Sequence, residues 1–315
     1  MEKVAIVTGA SRGLGRGIAL TLAKEAGYTV YATARNKDAL EKLSKDANNN
    51  ALNGVVYPYV LDQEDDVAVE KFVEFVASKH QAISLLVNSS YGGLVAIAPH
   101  FGKPFWERPI SVYDKAMDIG VRSSYVMSKY VVPIMVEQKN GLIIQTSSTG
   151  AHHYAFDVAY GVAHAGIDRL AADMALELKG HNVKALTLHP VGGCETEILS
   201  FPGGESTIFV GRAVVALADK GTDTDMNLYN GKVVITAELS AKYGFGHDDD
   251  PEGEMKTRKI SEAKAQRSFM DRTQFHNQLD TTLEEYDAAP ELPFNLSDLN
   301  SEAFGAMFEN AKKFE

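Results

Sequence analysis

The stretch Val4-Ala5-Ile6-Val7-Thr8-Gly9-Ala10-Ser11-Arg12-Gly13-Leu14-Gly15 decides the fold. Val4 to Thr8 is an apolar run without the polar alternation of a half-exposed strand, the pattern of a parallel strand buried on both faces. Gly9, Gly13 and Gly15 follow where a strand turns into a helix, and Ile18-Ala19-Leu20-Thr21-Leu22-Ala23 continues at helical spacing to a C-cap at Gly27. Glycine permits the tight turn, lets backbone approach a pyrophosphate and packs helix against strand, while the helix start offers unpaired N–H groups. A lone glycine triplet is weak evidence. Here the strand before it and the helix after it supply the context that gives it meaning.

Outward from this unit the pattern repeats. Tyr28 to Ala34 reads as a second strand, Asp38 to Asp46 as a polar helix, Val55 to Leu61 as a third strand. A helix over Asp65 to Lys79 precedes a fourth strand, Ile83 to Val87. Residues 91–110 form a long loop rich in Gly, Pro and aromatics, either a surface excursion or the wall of a substrate pocket. Then come a long helix (Ser111 to Gln138), a fifth strand (Leu142 to Thr146), a helix to about Lys179 and a sixth strand (Val183 to Leu188). A further helix (Gly211 to Asp219) and a seventh strand (Val233 to Thr236) follow. Strand alternating with helix predicts an α/β fold: a Rossmann-type doubly wound parallel sheet of about seven strands with right-handed crossovers. Residues 1–240 are expected to form one dinucleotide-binding and catalytic domain. Residues 241–315 change in composition and are expected to be a partly helical extension on the core or on a neighbouring subunit. Glu254 to Phe269 is its helical candidate, and Phe294, Leu296, Phe304 and Phe308 its apolar anchors.

Bulk properties exclude several classes. At 315 residues the chain can bury a sizeable core, and its net charge of −11 repels a nucleic-acid backbone, so no nucleic-acid partner is expected. Cys194 is the only cysteine, so no intramolecular disulfide can form, which fits a reducing compartment. Met1 runs into the first strand without a signal-peptide core, and no apolar run reaches the roughly 18 residues of a spanning helix. A cytoplasmic protein without a membrane segment is the expectation.

Chemistry is expected in Ser147-Ser148-Thr149-Gly150-Ala151-His152-His153-Tyr154-Ala155-Phe156-Asp157-Val158-Ala159-Tyr160-Gly161-Val162-Ala163-His164. It starts at the end of the fifth strand and ends on a helix, where Tyr160 and His164, four apart, share one face. Reduction of a carbonyl needs a proton donor at its oxygen, hydrogen-bond support for that oxygen, and a hydride. Tyr160 is the candidate acid/base, with Ser147 or Ser148 to hold the oxygen. The pair His152-His153 has no carboxylate or cysteine at ligand spacing, so no metal site is expected.

With Thr8-Gly9-x-x-x-Gly13-x-Gly15, the serines and Tyr160-Gly161-Val162-Ala163, the chain resembles the short-chain dehydrogenase/reductase family over residues 3–240. The resemblance implies that Tyr160 is the acid/base and that Ser148, the second serine of Thr146-Ser147-Ser148, polarises the substrate oxygen. It places Gly9, Ser11, Arg12, Gly13, Leu14 and Gly15 at the cofactor, together with Arg35, Asp62, Asn88, Tyr160, His164, Pro190 and Thr196. Ala34-Arg35-Asn36 stands where an acidic residue would bind a ribose 2′-hydroxyl. Arg35 with Arg12 suits a 2′-phosphate, so NADP(H) is preferred, with NAD(H) as the alternative. The family assembles through its two long helices (here 111–138 and 157–179), which implies a homodimer or homotetramer.

Departures from the family pattern cluster near the catalytic residues. His164 replaces the lysine of the Tyr-x-x-x-Lys motif. Gly120 aligns with an asparagine that completes the family's proton relay, and Asn88-Ser89-Ser90-Tyr91 replaces Asn-Asn-Ala-Gly. His189-Pro190-Val191-Gly192-Gly193-Cys194-Glu195-Thr196 is longer than the family's segment over the nicotinamide. A lysine ammonium about 4 Å from a phenolate contributes roughly 4 kcal/mol at an effective dielectric near 20. A histidine of ordinary pKa, about 6.5, would be only about a quarter protonated at pH 7, with rate rising towards mildly acidic pH. The expected function is an NADP(H)-dependent oxidoreductase interconverting a carbonyl and an alcohol on a small hydrophobic substrate. The alternatives are a catalytically impaired NADP(H)-binding protein and redox-neutral chemistry with Tyr160 as base.

Overall fold

Strand β1 (Val4–Thr8) is an interior strand of a seven-stranded parallel sheet in the computed structural model of the chain, which describes residues 2–49, 54–199, 201, 203–248 and 254–272. The other strands are β2 (Thr29–Ala34), β3 (Val55–Val60), β4 (Leu85–Asn88), β5 (Gly141–Thr146), β6 (Val183–His189) and β7 (Val233–Ile235). Their order is β3-β2-β1-β4-β5-β6-β7. β1 pairs with β2 through Val4 opposite Thr29, and with β4 through Ala5 opposite Leu85. The order therefore reverses between β1 and β4, and the carboxyl ends of the strands at such a reversal open a crevice.

The burial of β1 explains its unbroken apolar run. Ala5 and Val7 enter a core with Ile18, Leu22, Val210 and Val214 on one face. Val4 and Ile6 enter another with Phe72, Val76, Met127 and Val131 on the opposite face. On the first face the helices Gly13–Ala26 and Thr207–Val215 touch backbone to side chain. A Cβ on Gly17 would lie 2.4 Å from the Thr207 carbonyl oxygen, and one on Gly211 would lie 2.3 Å from Thr21 Oγ1.

Several boundaries differ from the sequence expectation, each for a local reason. The helix expected from Gly211 starts at Thr207, because Ser206 Oγ accepts the Phe209 N–H at 3.1 Å and caps it. Thr236 opens a helix, Thr236–Tyr243, rather than closing a strand. The long helix is Ser111–Ala116, a π-helical stretch Met117–Arg122 around Gly120, then Ser123–Glu137. The 91–110 loop carries a short helix, Gly93–Ile97, and the turns Ala98–His100 and Phe105–Glu107. Cys194–Glu195 and Glu205–Ser206 pair as a small parallel ribbon too short to be read from sequence.

Of the C-terminal extension, the helix Glu254–Arg272 is described. It packs on the core, where Ala263 and Met270 are buried with Val191, Ile235 and Ala237, and Arg267 pairs with Glu238 at 2.7 Å. The expected anchors Phe294, Leu296, Phe304 and Phe308 lie outside the described residues. No helix among the described residues is long and apolar enough to cross a membrane.

Candidate active site

The helix Val158–Glu177 positions the central tyrosine. Asp157 caps it: its Oδ1 accepts the Tyr160 N–H at 2.6 Å, and its Oδ2 meets Arg108 at 3.0 Å in an ion pair that is about 95% buried on both sides. Phe156, just before the cap, has φ 61°, a left-handed conformation that a bulky residue adopts only when its surroundings demand it. So started, the helix sends the Tyr160 hydroxyl to Ser148, donating to its Oγ at 2.8 Å. Ser148 Oγ also accepts the Gly150 N–H at 3.1 Å, and a Cβ on Gly150 would strike the Tyr160 ring at 2.4 Å. Ser147 does different work. It is buried, and its hydroxyl donates to the His164 carbonyl at 3.3 Å, tying the end of β5 to the helix.

His164 lies flat on Tyr160, ring centroids 4.0 Å apart and planes 29° from parallel, and meets the edge of Tyr91 at 4.8 Å. Burial drives its pKa down to about 3, with the Asp168 charge opposing and His189 adding to the fall. The imidazole is therefore neutral at pH 7, which corrects the expectation of a quarter-protonated histidine: desolvation outweighs the nearby carboxylate. Burial likewise raises the Tyr160 phenol, against the Ser148 hydrogen bond, which lowers it. Tyr91 was not singled out from sequence. Its ring fills the space beside Gly120, where a Cβ would come within 3.0 Å of it, and it meets Tyr160 edge-on at 5.7 Å. Gly120 is thus the vacancy in the side-chain packing that admits Tyr91.

Around this centre runs a cavity of about 610 Å³ at the strand reversal. Gly9, Ser11, Arg12, Gly13, Leu14 and Gly15 line one end, with Arg35 and Asp62 beyond them; Ser147, Ser148, Tyr160, His164, Pro190 and Thr196 line the other. Asn88 does not line it. Its amide is buried and donates to Ser128 Oγ at 3.1 Å, joining β4 to the long helix. The glycine loop is tight: Gly9 has φ 64°, and a Cβ there would lie 2.6 Å from the Ser89 carbonyl oxygen. Thr8 Oγ1 holds the facing loop by accepting the Ser89 and Ser90 N–H groups at 2.9 and 3.2 Å. At the helix start, the Gly13 N–H donates to the Glu197 carboxylate at 2.7 Å.

Arg12 is half-buried. Burial lowers its pKa, Glu197 raises it and Arg35 lowers it again, the mutual repulsion of two guanidinium groups aimed at one region. Arg35 is exposed and lies 4.0 Å from Glu64. Thr196 Oγ1 accepts the Leu199 N–H at 3.0 Å, folding its loop towards Gly13. Cys194 is buried and its thiol is raised by burial and then by Glu205, so it stays protonated. The far wall is apolar: Tyr91, Leu94, Phe156, Ile198, Leu199 and Phe201.

These residues fit a phosphate-bearing dinucleotide. A backbone N–H at the helix start already holds an anionic oxygen, two guanidinium groups face one end, and side chains at Gly9 and Gly15 would fill the cradle. The structure also gathers three residues that the sequence spacing kept apart, His152, Asp168 and His189, contributed by a loop, a helix and a strand end.

The comparisons agree with this geometry. The family model described as short chain dehydrogenase matches residues 3–201. The human protein named dehydrogenase/reductase SDR family member 1 is 38% identical over 264 residues, covering 77% of this chain and 82% of that one. The 3-oxoacyl-(acyl-carrier-protein) reductase FabG of Thermotoga maritima is 31% identical over 189 residues, covering 60% and 73%. A crystal structure of a metagenomic short-chain oxidoreductase in complex with NADP superposes with TM-score 0.62 at 26% identity, over 74% of this chain and 96% of that one. The chain belongs to the short-chain dehydrogenase family.

Proposed function

We propose that the protein is an NADP(H)-dependent oxidoreductase that reduces a carbonyl on a small hydrophobic substrate, or oxidises the matching alcohol. The observation that carries this reading is the 2.8 Å hydrogen bond from Tyr160 to Ser148, on the cavity that the glycine loop also lines. Gly9, Ser11, Gly13, Leu14 and Gly15 would hold the dinucleotide phosphates, Arg12 and Arg35 a 2′-phosphate, Asp62 the adenine end, and Pro190 and Thr196 the nicotinamide end. NADP(H) is favoured over NAD(H) by the two guanidinium groups, and the metagenomic oxidoreductase carries NADP. When bound, the cofactor supplies or accepts the hydride.

Ser148 is the group that polarises the substrate oxygen and Tyr160 the one that delivers the proton. A phenol held protonated by burial is well placed to donate, because an alkoxide formed by hydride addition is a stronger base than a phenolate. The same feature handicaps alcohol oxidation, which needs the phenolate, so the reductive direction is favoured. His164 acts as a neutral ring that orients Tyr160. The aromatic and aliphatic wall selects a hydrophobic substrate. Tyr125, Val158 and Val162 are exposed on the two long helices, which supports a homodimer or homotetramer. We place the protein in the cytoplasm, and residues 241–315 in an extension of the 1–240 domain.

One observation favours a second reading. With His164 neutral, the tyrosine lacks the cation that its relatives' motif supplies, as expected of an NADP(H)-binding protein that has lost hydride chemistry. Tyr160→Phe separates the two. NADPH oxidation across a panel of hydrophobic ketones and aldehydes should fall at least about 100-fold in the variant. NADPH affinity, measured by fluorescence titration, should stay within about threefold. Wild-type protein that binds NADPH and oxidises none with any carbonyl would instead select the second reading.

A further inference from the structure

We propose that His152, Asp168 and His189 form a binding site for a divalent transition-metal ion of the zinc class, behind the Tyr160 cavity. It does not depend on the oxidoreductase reading. Each residue offers one ligand atom, and the three lie within 4.8 Å of one another. Asp168 faces both rings: its Oδ1 is 3.0 Å from His189 Nε2 and its Oδ2 is 3.3 Å from His152 Nε2. Two donors bound tetrahedrally at 2.0–2.2 Å stand about 3.3 Å apart, the separation of His152 Nε2 from Asp168 Oδ2, and the full set within 4.8 Å needs a small closure around an ion. Two imidazoles and one carboxylate are a donor set that zinc and cobalt accept, with a fourth position left for water.

The two sides of the cluster differ in geometry. His189 Nε2 does bond to Asp168 Oδ1. On the other side, His152 Nε2 and Asp168 Oδ2 are both buried, and neither has a hydrogen-bond partner among the described residues. At 3.3 Å the two atoms are within ion-pair reach but off hydrogen-bond geometry, a contact that a shared ion on both would improve. His189 is fully buried and its other nitrogen, Nδ1, is also unpartnered, while the side chain of His152 is 21% exposed and gives the ion a way in.

The position gives such an ion a job. His152 follows the turn that carries Ser148, Asp168 lies one helical turn beyond His164, and His189 ends β6 directly before Pro190 of the cavity. One ion would clamp three elements that frame the cavity. The spacing hid this from sequence, because 152, 168 and 189 match no ligand motif and only the fold joins them.

The test is titration of untagged, chelator-treated full-length protein with CoCl2, read by visible d–d absorption, and with ZnCl2, read by calorimetry. One equivalent of Co2+ should bind with the intense spectrum of a four- or five-coordinate site, and Zn2+ should displace it and raise Tm. His152→Ala and Asp168→Asn should each weaken binding at least about tenfold, while His181→Gln, on the surface, should bind as the wild type does. Wild-type protein that shows no saturable Co2+ spectrum would overturn the proposal without reference to any variant. So would His152→Ala and Asp168→Asn proteins, folded by circular dichroism, that bind Co2+ as tightly as the wild type.

Discussion

At the residue scale, His164 shows how far a motif carries and where it stops. The sequence placed it on the face of Tyr160 by the four-residue spacing, and the stacked rings bear that out. Its charge state was beyond reach, because it depends on burial by Tyr91 and on the opposing pulls of Asp168 and His189. An imidazole whose pKa has fallen to about 3 gains a proton only below that value, so it carries no charge change between pH 5 and 9. His164→Gln should accordingly leave the shape of the pH–rate profile over that range unchanged, whatever it does to the rate. An apparent pKa between 5.5 and 7 that vanishes in the variant would show the imidazole titrating after all. Spacing alone left Ser147 and Ser148 both open and only the resemblance pointed to Ser148: adjacent residues in an extended segment point opposite ways, and packing turns Ser148 to the phenol and Ser147 to the His164 carbonyl.

At the scale of elements, the parallel strands and the glycine turn were legible because burial on both faces leaves an unbroken apolar signature. The 91–110 excursion was not, since its order comes from long-range contacts: Ile97 and Ala98 are buried with Ala159, Ala163 and Leu199, and an ion pair adds to them. Arg108 reaches out of it to Asp157, the residue that caps the Tyr160 helix. Breaking a buried pair strands a charge, and Arg108→Met should cost about 3–5 kcal/mol in urea unfolding. Adding Asp157→Asn, which keeps a capping oxygen and removes the stranded charge, should recover more than half of that loss. Additive losses in the double variant would mean that the two side chains act independently and that something else orders the excursion.

At the scale of the whole molecule, the C-terminal helix is joined to the sheet through a buried carboxyl group that no local pattern announced. Glu205 belongs to the small ribbon and its side chain is buried; the Thr236 hydroxyl meets both its oxygens, at 2.8 and 2.6 Å, and Lys259 from the Glu254–Arg272 helix lies close enough to act on it. Burial raises its pKa to about 8, with Thr236 and Lys259 pulling the other way. The folded state therefore keeps a proton that the unfolded chain, with an ordinary glutamate near 4.3, has released. Its contribution to stability is fully present below about pH 4.3 and is lost as pH rises towards 8. Glu205→Gln cannot release a proton, so the gap in unfolding free energy between variant and wild type should widen in the variant's favour from pH 5 to 8, by on the order of a few kcal/mol. A gap that stays constant over that range would mean that Glu205 is ionised at neutral pH as an ion-paired carboxylate of Lys259.

The contact between Tyr91 and Gly120 also restricts the order in which such a pair can change. A residue larger than glycine at position 120 would meet the Tyr91 ring, with even its Cβ at 3.0 Å. A side chain at 120 and an aromatic ring at 91 therefore compete for one volume. Starting from a chain with asparagine at 120 and a small residue at 91, one route is open: the asparagine goes first, leaving a hole, and the ring arrives second to fill it. The reverse order passes through a clash. An attempt to restore the familiar relay by Gly120→Asn alone travels that blocked route backwards, and the ring has to leave before the amide can enter.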